Sequence, residues 1–343
     1  MNWAWPAFLG SALLIVVAGT ALSRSADVIA EKGRFGRLWV GSVLLAGATS
    51  LPEVVTSISA GVMGLPDIAV GNVFGSNVFN LFIIAIADLL EGRGSILRKV
   101  SAAHILSAVV GMVLSSLAAL AILIRLPGRI GWIGFDTVLI AAVYLSGVRM
   151  MARYARRDPE EQAIVAIDPA PAWIEERQKE HARRATMSLG RAYAVFAMAG
   201  AVVTAAGVTL SRAADVLAES TGLGETFVGS TLVAAATSLP EVVATVSAAM
   251  AGSFDLAVGN IFGSNLFNMV ILIVSDISYR PGPILSAVDP SHATVALFGL
   301  IMSGIAVIGL FYRSQRSIGR LGPDSIALVI AYWTSMYLLF ATR

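Results

Sequence analysis

The chain has 343 residues, of which 57% are hydrophobic and 13% charged, with a mean hydropathy of +0.79. Soluble domains carry about 25% charged residues, so this composition excludes an ordinary soluble protein and fits a chain whose main solvent is lipid. A net charge of +2 argues against a nucleic-acid partner, and the absence of cysteine excludes disulfides and thiolate metal sites.

Taken in chain order, the apolar runs predict ten membrane-spanning helices of an all-α integral membrane protein. Five lie near 3–22, 39–62, 68–90, 105–124 and 130–148, and five near 192–210, 227–250, 256–275, 294–312 and 325–341. Each is long enough for a hydrocarbon core of roughly 30 Å at about 1.5 Å per residue. The first run lacks a positive leader and extends from Trp3 to Leu22, so it reads as a retained span rather than a cleaved signal. Between the fifth and sixth spans, 149–191 is the one sizeable hydrophilic stretch, with mixed charge (ARRDPEE, then WIEERQKEHARR). It reads as a connector with one short amphipathic helix and Trp173 at the interface. It has no spaced Asp-x-Asp-x-Asp calcium loop and is too short for a folded domain.

An internal duplication organises these spans. Residues 40–80 and 228–268 align without a gap at an offset of 188, with 27 of 41 positions identical. ATSLPEVV recurs at 48–55 and 236–243, and AVGNVFGSNVFN at 69–80 answers AVGNIFGSNLFN at 257–268. Upstream, LSRSADVIAE at 22–31 faces LSRAADVLAE at 210–219. Chance likeness between apolar helices does not repeat Thr-Ser-Leu-Pro-Glu or Gly-Ser-Asn. Residues 1–148 therefore form a first repeat, 149–191 a connecting loop, and 192–343 a second repeat.

Five spans per repeat make the second copy enter the membrane upside down. The loop charges agree: with both termini outside and the 149–191 loop cytoplasmic, 19 of the 24 Lys and Arg fall on the inner side. Lys32, Arg34 and Arg37 of the first copy stand opposite Ser220, Gly222 and Glu225 of the second. Near-identical segments with opposite flanking charge are what inverted topology requires. These features place the chain in a cell (plasma or inner) membrane.

Almost every Asp and Glu lies in a loop or near a span end, but Glu53 and Glu241 sit well inside apolar spans. A charge at that depth costs at least about 2.5–3.5 kcal/mol, and residues that bear it usually line an ion path. A protonated packing Glu is the plainer reading for one such residue, and a poor one for two repeat-related copies. Pro52 and Pro240 precede the two acids and cannot donate the normal helical bond, so the carbonyls of Ala48 and Ala236 lose their partners. The sequence thus predicts unwinding around Thr49 and Thr237, where freed carbonyls need a polar partner such as a desolvated cation.

The next helix carries Asn72, Ser76 and Asn80 on one face, repeated as Asn260, Ser264 and Asn268. Asn72 and Asn260 read better as hydrogen-bonding glue between helices, while Ser76, Asn80, Ser264 and Asn268 are placed to be ligands. The small pairs Gly71/Gly75 and Gly259/Gly263 let backbones approach closely. Two bidentate glutamates and one carbonyl from each unwound turn supply six oxygens, within the range calcium takes. Sodium accepts Ser, Thr and Asn oxygens. The three histidines, His104, His181 and His292, lie near span ends or in loops, which disfavours soft metals. No nucleophile–base pair lies at membrane depth, so an enzyme is not expected, nor is a cofactor.

At these residues the chain resembles the calcium/cation antiporter superfamily, and within it the sodium/calcium exchanger branch, over nearly its whole length. TSLPE with GN-x-x-GSN, present twice and inverted, carries the resemblance; the calcium/proton branch has a different motif around its acid. The resemblance implies a compact core of spans 2, 3, 7 and 8, with spans 1 and 6 sliding across it. It implies ion ligands at Ala46 (carbonyl), Thr49, Ser50, Glu53, Ser76 and Asn80. In the second half they are Ala234 (carbonyl), Thr237, Ser238, Glu241, Ser264 and Asn268. The implied function is export of Ca2+ in exchange for Na+, electrogenic and potassium-independent, by a protein that works as a monomer in the lipid bilayer. A calcium/proton antiporter of the same superfamily is the alternative. Some relatives carry Asp where this chain has Asn268, a position that bears on stoichiometry and potassium dependence.

Overall fold

Proline and glycine set many of the helix boundaries in the computed structural model, which describes residues 3–32, 49–92, 94–125, 128–154, 187–250, 252, 254–314 and 317–342. In chain order the helices are α1 (Ala4–Lys32), α2 (Leu51–Met63), α3 (Pro66–Glu91), α4 (His104–Ile124) and α5 (Phe135–Tyr154). They continue as α6 (Leu189–Thr221), α7 (Glu225–Thr237), α8 (Leu239–Met250), α9 (Phe254–Ser278), α10 (Ser291–Tyr312) and α11 (Pro323–Ala341). Pro66 and Pro323 open α3 and α11, where a missing N–H costs nothing. Gly64 closes α2 in the left-handed region at φ 77°, which only glycine adopts cheaply.

Among the described residues eight helices are long and apolar enough to cross a membrane, and α7 with α8, bent by 49°, passes the same test taken as a pair. The chain is a multi-pass helical membrane protein. Residues 39–48, the first part of the second predicted span, lie outside the described residues, as do most of the 149–191 connector and Trp173.

Three expectations need correction. Helices α1 and α6 run well past the predicted ends at 22 and 210, to Lys32 and Thr221. Their LSRSADVIAEK and LSRAADVLAEST continuations contain no Pro or Gly, so the helix carries on beyond the apolar stretch. At about 1.5 Å per residue α6 is about 50 Å long, more than a bilayer core requires. The fifth span begins later than predicted, because 129–134 folds as a small hairpin pairing Arg129 with Gly134 and Ile130 with Ile133. Lastly, the break in the seventh span falls at Ser238 (φ −86°, ψ 8°), one residue past Thr237, which remains the last residue of α7. Ser50 has the same conformation (φ −86°, ψ 9°).

Helices α3 and α9 form the centre, with 72% and 67% of their most apolar stretches buried. Glycine lets α3 approach α7 backbone to backbone. A Cβ on Gly75 would stand 2.3 Å from the Ser230 carbonyl oxygen, and one on Gly71 3.0 Å from the Ser230 nitrogen. The facing segment, Gly229–Val233, is a π-helical turn, a local widening that often accompanies functional sites. Helices α1 and α6 pack along each other outside this centre.

Contacts recur with the two halves exchanged. His292 Nε2 lies 3.0 Å from Asp67 Oδ1, and His104 Nε2 lies 3.2 Å from Asp255 Oδ1. Arg125 donates to the Val288 carbonyl and Arg313 to that of Val100. Within each half, Asp88 accepts the Ile96 N–H at 2.7 Å and Asp276 that of Ile284 at 2.7 Å. Every one of these pairs maps onto its mate through the offset of 188 seen in the sequence.

Candidate ion site at the two broken helices

The site is built at the starts of α2 and α8, each of which carries a proline in its first turn, with α8 following α7 after a 49° bend. Pro52 and Pro240 each stand one residue before a glutamate, so both acids fall in the first turn of a new helix, α2 or α8. That turn points free N–H groups and the positive end of the helix dipole toward the break. The acids are thereby presented at the break, with Glu53 1% and Glu241 0% exposed.

Each carboxylate is held by the serine of the other half. Ser50 donates to Glu241 Oε1 at 3.0 Å and Ser238 donates to Glu53 Oε1 at 2.9 Å. The Ser76 hydroxyl lies 3.0 Å from that of Ser238. Each acid has spent only one of its oxygens in this way. Glu53 Oε2, Glu241 Oε2, Asn80 Oδ1, Asn268 Oδ1 and Ser264 Oγ are buried with no hydrogen-bond partner. An unpaired buried polar atom costs about 1–3 kcal/mol, more if charged, so these five oxygens on four helices are open to a further partner such as water or a cation. A desolvated cation is a partner that oxygen donors of this kind satisfy.

The other predicted ligands are distributed as follows. Thr49 is fully buried immediately before Ser50. The Thr237 hydroxyl turns away from the acids, to Asn72 Oδ1 at 2.9 Å and the carbonyls of Val233 and Ala234 at 3.0 and 3.2 Å. The Ala234 carbonyl also accepts the Ser238 N–H at 3.0 Å. Ala46 lies outside the described residues. Asn72 and Asn260 do tie helices together: Asn72 Nδ2 donates to Ser57 at 2.9 Å and to the Glu53 carbonyl at 3.3 Å, and Asn260 Nδ2 to Thr245 at 3.1 Å. His104 and His292 stand at span ends, as expected, paired with aspartates. Among the described residues no three His, Cys, Asp or Glu side chains gather in a group that could hold a metal ion.

Two residues escaped the sequence reading. Asn77 and Asn265, the last letters of the repeated Gly-Ser-Asn, bond to the amides of Asn268 and Asn80 across the pseudo-two-fold. Their repetition at the same offset was the available signal.

A pseudo-symmetric pair of acids in the first turns of two helices of a multi-pass membrane protein has a counterpart among known proteins. The family model for sodium/calcium exchanger proteins matches residues 3–150 and 191–341, the whole of both halves. The chain belongs to the sodium/calcium exchanger family. It is 28% identical over 339 residues to the inner membrane protein YrbG of Escherichia coli (strain K12), covering 95% of this chain and 96% of that one. It is also 28% identical over 279 residues to the sodium/calcium exchanger MaX1 of Methanosarcina acetivorans, covering 73% and 75% of the two chains. Its fold matches the crystal structure of the H+/Ca2+ exchanger CAX with a TM-score of 0.68 at 17% identity, over 99% of this chain and 85% of that one. It matches the sodium–calcium exchanger NCX_Mj, soaked in 10 mM Na+ without Ca2+, with a TM-score of 0.58 at 20% identity, over 97% and 98%. Members of this superfamily are secondary transporters, so the chain is a cation/Ca2+ exchanger-type antiporter and not an enzyme.

Proposed function

We propose that the protein is a sodium/calcium antiporter that exports Ca2+ in exchange for Na+ by alternating access. The observation that carries this reading is the reciprocal pair Ser50–Glu241 and Ser238–Glu53, with one oxygen of each acid left unpartnered beside those of Asn80, Asn268 and Ser264. Two carboxylates balance one calcium ion, and the neutral oxygens complete a shell of the size calcium takes. When the site empties of calcium, sodium uses the same acids with Ser, Thr and Asn oxygens. Thr49, Ser50, Glu53, Ser76 and Asn80, with Ala46, form one half of the site. Ala234, Thr237, Ser238, Glu241, Ser264 and Asn268 form the other.

The architecture in this reading is ten spans in two inverted repeats, 1–148 and 192–343, with 149–191 as the cytoplasmic connector. Residues 49–63 are then the described part of the second span, and both termini lie outside the cell membrane. The likeness to YrbG, an inner membrane protein, supports a cell-membrane location. Broken helices at mid-membrane related by a pseudo-two-fold are the usual frame for alternating access, and one chain contains the complete site, so the functional unit is a monomer.

Proton coupling is the second reading, favoured by the fold match to the H+/Ca2+ exchanger CAX. Inside-out vesicles containing the protein separate the two. With sodium inside, external calcium should enter along with sodium release and without a pH gradient. Uptake that needs an imposed pH gradient and ignores sodium would overturn sodium coupling.

A further inference from the structure

Behind the glutamates, four asparagines form a ladder across the pseudo-two-fold axis. Asn80 Nδ2 donates to Asn265 Oδ1 at 3.0 Å, and Asn265 Nδ2 donates in turn to the backbone carbonyl of Asn77 at 3.1 Å. Asn268 Nδ2 donates to Asn77 Oδ1 at 2.9 Å. Asn77 and Asn265 are 5% and 8% exposed.

The order of these bonds fixes which way Asn265 and Asn80 point. An amide side chain has one acceptor end and one donor end of almost the same shape, so its neighbours decide its orientation. A backbone carbonyl can only accept. The Asn77 carbonyl therefore takes the NH2 of Asn265, which leaves Asn265 Oδ1 facing Asn80. That oxygen in turn demands the NH2 of Asn80, and the Asn80 oxygen is forced the other way, where it has no protein partner. The Asn268 oxygen is likewise left unpartnered. A flipped Asn80 would set its oxygen against that of Asn265 and present N–H groups to the site, where a cation would be repelled.

We propose that Asn265, with its mate Asn77, is a positioning residue that aims the Asn80 and Asn268 side-chain oxygens at the transported cation. This rests on the reading of the Glu53–Glu241 centre as the ion site. The ladder also sets the site's charge. An Asp at 80 has no N–H to give, so one of its oxygens would confront Asn265 Oδ1. Asn at 80 and amide at 265 are matched choices, and the site is held at two formal negative charges. A small cavity, lined in part by Gly111, Ser115 and Gly299, adjoins Asn77 and Asn265.

The test is a cycle of variants at 80 and 265, read as the calcium concentration for half-maximal sodium-driven uptake in vesicles. Asn265→Ala in the natural background should raise that concentration about tenfold, the loss of roughly one hydrogen bond's worth of orientation. Asn80→Asp alone should also be impaired. In the Asn80→Asp background, Asn265→Ala should improve apparent affinity, because both ends of a carboxylate are oxygens and need no aiming. That reversal of sign supports a positioning role. A structural role makes Asn265→Ala harmful in both backgrounds and overturns the proposal, as does no effect in either. Asn265→Leu, which keeps a branched side chain without the amide, repeats the cycle should the alanine variant elute from detergent as aggregate. Glu53→Gln runs beside them: retained flux in that variant would overturn the ion-site reading itself, whatever the cycle gives.

Discussion

At the scale of single residues, the centre is economical in hydrogen bonds. Ser50 and Ser238 each spend their one proton on the acid of the opposite half, at 3.0 and 2.9 Å, and hold it with one oxygen uncommitted. A hydroxyl bonded to a charged group contributes about 1.5–3 kcal/mol, so Ser50→Ala and Ser238→Ala should each weaken calcium transport by about tenfold or more in apparent affinity, with the protein still folded. Ser238→Ala should be the more damaging, since Ser238 also meets Ser76 at 3.0 Å. The check is calcium-dependent uptake by the two variants; normal affinity in both would show that the serines do not organise the site. At this scale the sequence was informative about charge and poor about orientation. Glu53 and Glu241 stood out because acids are rare at membrane depth. Asn77 and Asn265 did not, because the direction of an amide depends on what the opposite helix offers, and no local pattern encodes that. The same limit applies to Thr237, whose hydroxyl could serve a cation or Asn72 and bonds to Asn72.

At the scale of elements, the two halves are not in the same position. Gly19 of α1 packs against Pro240, where a Cβ would come within 2.9 Å of the ring. Its repeat mate is Gly207 of α6, which by symmetry belongs against Pro52. It lies instead against Val55 and Thr56, with a Cβ approach of 2.9 Å to Val55 Cγ1, and Ser211 donates to the Thr56 carbonyl at 3.1 Å. Three or four residues along a helix is about one turn, or about 5 Å. An exchange of the two arrangements would return Gly207 to Pro52 and carry Gly19 to Val243, the repeat mate of Val55. Because the natural chain has no cysteine, the pairs can be engineered cleanly. Gly207→Cys with Val55→Cys should cross-link readily in the arrangement seen here, Gly19→Cys with Val243→Cys only in the exchanged one, and either cross-link should stop transport until reduced. Transport that continues with both bonds closed would show that α1 and α6 do not move. The apolar runs predicted most helices to within a few residues, since Pro and Gly mark their ends. They placed the ends of α1 and α6 too early because hydropathy reports the lipid boundary and not the helix, which continues through polar residues that favour it equally. The proline turns were legible as breaks, although their centre is Ser50 and Ser238; the π-helical turn at Gly229–Val233 has no counterpart in helical periodicity and was not foreseen.

At the scale of the whole molecule, the proposed ion site makes charge balance the quantity to test. The site has two formal charges, from Glu53 and Glu241, and the amides Asn80 and Asn268 add none. If three sodium ions exchange for one calcium, one net charge crosses per cycle, worth about 2.3 kcal/mol per 100 mV, and uptake should then respond to an imposed diffusion potential. A potassium ion beside calcium would leave excess positive charge in a poorly solvated site, which is costly. Sodium-driven calcium flux in choline, with membrane potential clamped, should therefore be the same with and without potassium; a collapse without potassium would refute the charge count. The claim beneath all of this is that both acids bind one and the same calcium ion, and the most direct measurement is calorimetric titration of calcium into the purified protein. The account predicts one calcium per chain for the natural sequence, displaced by sodium, and no measurable calcium binding in either Glu53→Gln or Glu241→Gln. Calcium bound with unchanged affinity and stoichiometry by either variant would contradict it.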